Sequence, residues 1–341
     1  MTPLVSIVVP VFNVERYLSL CLDSLRQQTL SGIEIIFVDD ASTDGSPSLL
    51  AAAARQDTRV VVLRHASNRG LSAARNTGLR PARAPWVLFI DSDDLVSCHL
   101  CERVLAAAER LVSDAVFFGY AVFGDGQQTP PEPAPTAAVP ASRVALLRGP
   151  AFAWTKLVRT DLMRTNGIEF PEGLCFEDIP VHWRLALESV RPAFLDEALV
   201  WYRQRRGSIT YRTDWSRADS ILIYDRIKNY LHDTGHWEEW KDVFLAQELA
   251  NFACTHAYYT LANPALTRRV REETIARMTA DHWSVVLQGK SLSRGARDYI
   301  LSRCRPEGMY ASPALLLPML RHGLRDSLRC SWHRVRHAFS V

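Results

Sequence analysis

The chain has 341 residues, 48% of them hydrophobic, and a formal net charge of +3. That length suits one large domain or a domain with an appendage; the charge is too small to argue for a nucleic-acid partner, and no apolar run approaches the roughly 18 residues a membrane span needs. The seven cysteines are scattered and odd in number, which does not suggest a disulfide framework, and the lone CxxC at Cys98 and Cys101 has only His99 nearby, too few ligands for zinc.

Val5 to Pro10 reads as a buried strand. It starts so early that no signal peptide is expected, which favours the cytoplasm. Apolar residues at helical spacing follow from Val14 to Gln27. Ile33 to Val38 is a second strand, ending in Asp39 and Asp40. A turn at Ala41 to Gly45 leads into an alanine-rich helix. Val60 to Leu63 is a third strand, Ser67 to Gly70 a turn, and Leu71 to Leu79 the start of a helix. Val87 to Ile90 is a fourth strand that runs straight into Asp91-Ser92-Asp93-Asp94. Strands alternating with helices in this way predict a parallel sheet with right-handed crossovers. No GxGxxG follows the first strand, so the dinucleotide fingerprint is absent.

Beyond the acids, the pattern predicts a helix from about His99 to Leu111 and a strand from Ala115 to Phe123. Gln127 to Pro140, crowded with Pro, Ala and Thr, reads as a mobile surface loop. The chain resumes at Trp154-Thr155-Lys156-Leu157. A second acidic centre, Glu177-Asp178-Ile179-Pro180, opens a helix with Asp178 as its N-cap. Leu199 to Tyr202 is a short strand, followed by a basic loop from Arg203 to Ser208. From Asp214 the pattern is helical, and its aromatic residues (Tyr224, Tyr230, Trp237, Trp240, Phe244, Phe252, Tyr258 and Tyr259) read as core. The last helix, from Leu315, carries Leu320, Leu324 and Leu328 with Arg321, Arg325 and Arg329. Two readings of it stand: packing or pairing of chains into a homo-oligomer, or contact with an anionic membrane surface.

Strand ends in such a sheet gather at one edge, where ligands bind. Pro10, Asp40, Asn68 and Asp91 to Asp94 should therefore converge. Acids this close repel one another and favour a cation between them. Mg²⁺ in particular shares its shell between a carboxylate and substrate phosphates. Arg75, in the first turns of a helix at this edge, is a seat for a diphosphate. Arg206 and Ser208 would close over the same phosphates from the late loop.

Four ordered motifs then carry a resemblance: Val-Ser-Ile-Val-Val-Pro-Val-Phe-Asn at 5–13, Val-Asp-Asp-Ala-Ser-Thr-Asp-Gly-Ser at 38–46, Asn-Arg-Gly-Leu-Ser-Ala-Ala-Arg-Asn-Thr-Gly at 68–78, and Asp-Ser-Asp-Asp at 91–94. With Glu177-Asp178 and Gly207 to Thr210, they resemble the family 2 glycosyltransferases of GT-A fold over about residues 4–212. The resemblance implies a catalytic nucleotide-sugar domain over 1–212, and the helical pattern beyond it marks a second region over 213–341 for acceptor, oligomer or membrane-surface contacts. It implies an inverting transferase that moves a sugar from a nucleotide-diphosphate sugar, most often a UDP-sugar, to a glycan or lipid-linked hydroxyl. Pro10 and Val11 would line the nucleoside pocket, and Asp40 would bond the base. Asn68 and Arg75 would sit by the ribose and diphosphate, and Asp91 and Ser92 would touch the ribose or donor sugar. Asp93 would ligate Mn²⁺ or Mg²⁺, with a share for Asp94 left open. Asp178 would be the general base, with Glu177 beside it. Many relatives supply a histidine metal ligand from the late loop; here Arg203 to Ser208 contains none, and Arg206 would offset charge instead. Enzymes of this type commonly build capsule, lipopolysaccharide or wall-polymer glycans. Two rival readings are a nucleotidyltransferase, against which stands the lack of a Gly-rich triphosphate loop with a lysine, and a catalytically silent nucleotide-sugar-binding module, against which stands the acid at Asp178.

Overall fold

The computed structural model describes residues 2–205, 214–259 and 263–288, with positions 292, 296, 297 and 300 beyond them. The chain divides into two compact units, one of residues 1–146 and 151–208, the other of 147–150 and 209–341. In chain order the elements are β1 (Val5–Val11), α1 (Glu15–Arg26), β2 (Ile33–Asp39), α2 (Ser46–Gln56), β3 (Val60–Arg64), α3 (Leu71–Leu79), β4 (Trp86–Phe89), β5 (Leu95–Val96) and α4 (Leu100–Leu111). Then come β6 (Ala115–Gly124), β7 (Val139–Pro140), α5 (Arg143–Arg148), β8 (Lys156–Arg159), α6 (Thr160–Thr165), α7 (Asp178–Glu188) and β9 (Pro192–Gln204).

One sheet has the order β3-β2-β1-β4-β8-β6-β9-β5, with β7 beside β9. Strands β1 to β4 pair in parallel. The expected α/β sheet flanked by helices is therefore present. Every residue of β1, β2 and β4 is buried, because the two faces of each strand meet different partners. Ile35 and Phe37 of β2 join Leu18, Leu22 and Leu50 from α1 and α2. Ile36 and Val38 turn the other way, onto Ala74 of α3. Alternation of side chains across a strand thus appears as an unbroken apolar run.

Helix α3 lies close against the sheet because Gly78 has no side chain. A Cβ there would stand 2.4 Å from Cγ1 of Val8. Gly78→Ala is therefore expected to destabilise the fold by about 1–3 kcal/mol, the range for overpacking. A lower urea midpoint at unchanged slope would register it; an unchanged midpoint would mean that α3 retreats freely.

Three elements differ from the sequence expectation. Strand β8, only four residues long with charged ends, is a central strand antiparallel to both β4 and β6. Strand β9 spans 13 residues where a short one is expected. Asp196 and Glu197 mask it by breaking the apolar pattern, but Glu197 is buried against Arg103 at 2.8 Å and the Thr136 N–H at 2.7 Å. The stretch 127–140 is pinned rather than mobile. Glu132 accepts from the Ser97 hydroxyl and the Cys98 N–H, Arg103 donates to Pro133 O at 2.8 Å, and β7 pairs with β9.

The second unit contains α8 (Asp219–Asp233), α9 (Trp237–Tyr259), α10 (Pro264–Arg277) and α11 (Ala280–Gln288), with the other three helices touching α9. Tyr224, Trp240, Phe244 and Phe252 are buried, as core aromatics should be. Tyr230 and Trp237 are half-buried. The side chains of Tyr258 and Tyr259 and the basic helix from Leu315 lie outside the described residues. Among the described residues, no helix is long and apolar enough to cross a membrane.

Candidate active site

Because β1, β2 and β4 are parallel, their C-terminal ends share one edge. Chain order reverses across β1, with β2 on one side and β4 on the other. A crevice opens at such a reversal. Asp40, just past β2, and Asp91, just past β4, flank β1. Two strand spacings separate them, about 10 Å.

Arg75 is the centre of this edge. Its side chain, on α3, is 1% exposed. Its Nη2 donates to Asp91 Oδ1 at 2.8 Å, and its Nη1 to Glu177 Oε1 at 2.7 Å and Asp178 Oδ1 at 3.4 Å. The guanidinium also lies 5.1 Å from the Phe170 ring centre, a favourable cation–π contact. One cation thus gathers acids from two distant segments. Burial opposes its charge, yet Asp91, Asp178 and Glu177 outweigh burial and raise its pKa above the ordinary value. Burial also raises the Asp91 carboxyl. Burial, then the neighbouring Asp178, push Glu177 up to about 8. The cluster is short of positive charge, the state in which an added cation or proton is welcome.

Asp178 is the first residue of α7 and Glu177 its N-cap. The expected N-cap bond from Asp178 is not made. Its Oδ2 accepts instead from the Ala153 N–H at 3.1 Å, and its other oxygen faces Arg75. Phe176, just before the pair, has φ +65°. That conformation is costly for a bulky residue, and it turns the chain so that Glu177 and Asp178 both reach Arg75.

Past β4, Asp93 and Asp94 part ways. Asp94 is fully buried, and its Oδ1 accepts from the Arg203 N–H at 2.8 Å. Burial, then Asp93 and Asp91, hold its carboxyl well above the usual range. Asp94 therefore ties the segment after β4 to β9. Asp93 pairs through Oδ2 with Arg205 Nε at 2.8 Å. Its Oδ1 has no hydrogen-bond partner among the described residues. Among those residues no cluster of three or more His, Cys, Asp or Glu side chains is placed to hold a metal. One carboxylate oxygen beside a bound diphosphate still fits Mg²⁺, which takes few protein ligands. Ser92, between Asp91 and Asp93, is buried.

Asp40 is engaged by its own chain. It accepts from the Arg69 and Gly70 N–H groups at 2.8 and 2.7 Å, and His65 Nδ1 lies 2.6 Å away. A carboxylate offers about four acceptor sites, so one remains. Among the described residues, the Asn68 side chain reaches the Asp40 carbonyl alone, at 3.4 Å. Pro10 and Val11 are buried within β1, and just past them Phe12 is 49% exposed.

Arg206 and Ser208 lie outside the described residues. Three side chains at this edge escaped the sequence reading. Phe12 lies inside a motif but carries no polar group to mark it in the sequence. Arg205 is one of three arginines between 203 and 206, and its signal is its spacing of two from Arg203, which puts both on one face as the strand ends. Lys156 belongs to a strand that the sequence does not advertise.

The family model described as Glycosyl transferase family 2 matches residues 6–152. Two proteins of Bacillus subtilis (strain 168) named as glycosyltransferases, EpsJ and EpsH, are similar to this chain. EpsJ is 36% identical over 62% of this chain and 64% of its own length. EpsH is 32% identical over 77% of each. The chain thus spans just under two thirds of the first and over three quarters of the second. A crystal structure of S. aureus TarS 1–349 in complex with UDP-GlcNAc superposes with a TM-score of 0.68, at 22% identity, over 98% of this chain and 93% of that one; it shares the fold.

Proposed function

The chain belongs to glycosyltransferase family 2, and on that footing we propose that it is an inverting transferase. It would take a sugar from a nucleotide-diphosphate donor, UDP-linked, to a hydroxyl of a glycan or lipid-linked acceptor. The observation that carries this reading is the acid cluster on Arg75: Asp91, Glu177 and Asp178 meet at the edge where an α/β sheet binds its ligand. The UDP choice is supported by the TarS structure, which holds UDP-GlcNAc.

In this reading the donor lies across the ends of β1, β2 and β4. Pro10, Val11, Asp40 and Asn68 form the nucleoside side, with the one acceptor site left on Asp40 for a base N–H. Asp91 and Ser92 meet the ribose or donor sugar. Asp93, whose second oxygen Arg205 leaves open, would hold Mn²⁺ or Mg²⁺. The metal, when bound, offsets the charge that grows on the departing diphosphate. Arg75 supports the same charge and holds the acids in place. The acceptor oxygen attacks the anomeric carbon, the bond from that carbon to the diphosphate oxygen breaks, and Asp178 takes the hydroxyl proton. Arg206 and Ser208 would close over the phosphates. The same reading would put it in cell-envelope polysaccharide synthesis on the cytoplasmic side, a role common among enzymes of this type.

Thermal unfolding with UDP and UDP-sugars, with and without Mn²⁺, tests this. A ligand that binds the folded state raises the melting temperature. UDP with Mn²⁺ is expected to stabilise the protein more than UDP alone, and Asp93→Ala to remove that increment. An increment that survives Asp93→Ala would take Asp93 out of the metal site. Nucleotide release should come from a UDP-sugar; pyrophosphate release from a nucleoside triphosphate would favour the nucleotidyltransferase reading. Binding without turnover of any donor and acceptor pair would favour the silent module.

A further inference from the structure

Lys156 is the anomaly that this scheme leaves unused. It is 2% exposed, on the short central strand β8. Lysines are almost never buried so deeply without an acid partner. Its Nζ instead donates to three oxygens of the preceding turn: Ala151 O at 3.1 Å, Phe152 O, and Thr155 Oγ1 at 3.4 Å. These use all three donors of an ammonium group. The carbonyls of residues 151 and 152 thus point at Lys156, while the N–H of the next residue, Ala153, points away to Asp178. A methionine or leucine would fill the space but take the Lys156 donors away from both carbonyls, leaving Phe152 O to the Thr155 hydroxyl at 2.9 Å and Ala151 O without its side-chain donor.

The charges around this turn fit the same picture. Asp178 of α7 is the acid that favours the Lys156 charge, and Arg75 of α3 opposes it. Asp178 therefore lies in the field of two cations, Arg75 in direct contact and Lys156 through the turn. Its remaining charged neighbours are Glu177 on α7 and Asp91 past β4. One turn beyond Asp178, His182 is buried, and its Nε2 lies 2.9 Å from Leu146 O. Nε2 must therefore carry the proton. Burial, then the Lys156 charge, push the His182 pKa down to about 3, so the imidazole stays neutral. Burial also pulls Lys156 itself down to about 7.

We propose that Lys156 is a positioning residue for the transfer reaction: it fixes the 151–153 turn so that the Ala153 N–H holds the Asp178 carboxylate in its reactive orientation. This rests on the reading of Asp178 as the base, but its first test needs no substrate. Amide hydrogen exchange of the ¹⁵N-labelled full chain should find Ala153 protected in the wild type. Lys156→Met should speed exchange at Ala153 by about tenfold or more, by local opening, while amides of β1 and β2 keep their protection. If Lys156→Met does not fold, Lys156→Gln, which keeps two of the three N–H donors but no charge, is measured instead. An unprotected Ala153 in the wild type would overturn the proposal whatever the variants do. So would a folded variant with an unchanged Ala153 rate, or one that loosens every amide equally.

The kinetic arm uses UDP-GlcNAc and UDP-glucose, with UDP release as the signal. Lys156→Met should lower kcat by about 10–100-fold, the scale of a misplaced reacting group, with donor KM unchanged. A rise in KM at constant kcat would overturn the positioning role. A wild type that releases no UDP from either sugar would count against the donor reading alone, because the amide measurement still judges Lys156.

Discussion

Asp178→Asn is expected to lower sugar transfer by about 10²–10⁴-fold, the usual share of a general base, and to leave UDP binding unchanged. The substitution keeps size and shape, and the amide oxygen still accepts from the Ala153 N–H. Arg75 keeps its contacts to Asp91 and Glu177, at 2.8 and 2.7 Å. The fold should be no weaker, since the cluster loses one of three acids crowded around a single guanidinium. Transfer kinetics beside UDP calorimetry check this. If both fall together, Asp178 belongs to donor binding and not to proton transfer.

Arg75→Met should do the opposite and damage fold and activity at once. Removing one partner of a buried ion pair costs about 3–5 kcal/mol, because the charges left behind stay buried. Here Asp91, Glu177 and Asp178 would all be left without their cation. The loss should depend on pH. Asp91 and Glu177 already have raised pKa values in the wild type, Glu177 at about 8, and without Arg75 they rise further. An acid with a raised pKa in the folded state stabilises it at low pH, and that stability is lost as pH rises through the folded pKa. The variant should therefore melt closer to the wild type at pH 5 than at pH 8. A gap that is constant over this range would show that the acids move apart into water when Arg75 is gone.

How far the molecule could be read from its residues depends on which signal each part uses. The strands β1, β2 and β4 are legible because burial on both faces writes itself as an unbroken apolar run. The acids of the site are legible because they interrupt such runs at their ends. Strand β8 is not, since a four-residue strand ending in Lys156 and Arg159 shows no period of its own; its place is set by the pairing of β4 and β6. Strand β9 is obscured by Glu197, a charge whose partners Arg103 and Thr136 are distant in sequence. For the same reason Asp40 was legible as a strand-end acid, but its grip on the 65–70 turn was not. Side-chain destinations are tertiary facts, and acids that share a motif, such as Asp93 and Asp94, need not share a direction.

Arg75 also bears on how such a protein can drift over generations. The three acids gathered at the candidate site are the same three that keep one interior guanidinium tolerable. A lineage released from selection for sugar transfer would still be held to the set, because discarding the arginine strands its acids and discarding the acids strands the arginine. The group should thus be inherited or lost as a block. An intact cluster in a related sequence is then a statement about foldedness first, and about sugar transfer only through the base role proposed for Asp178.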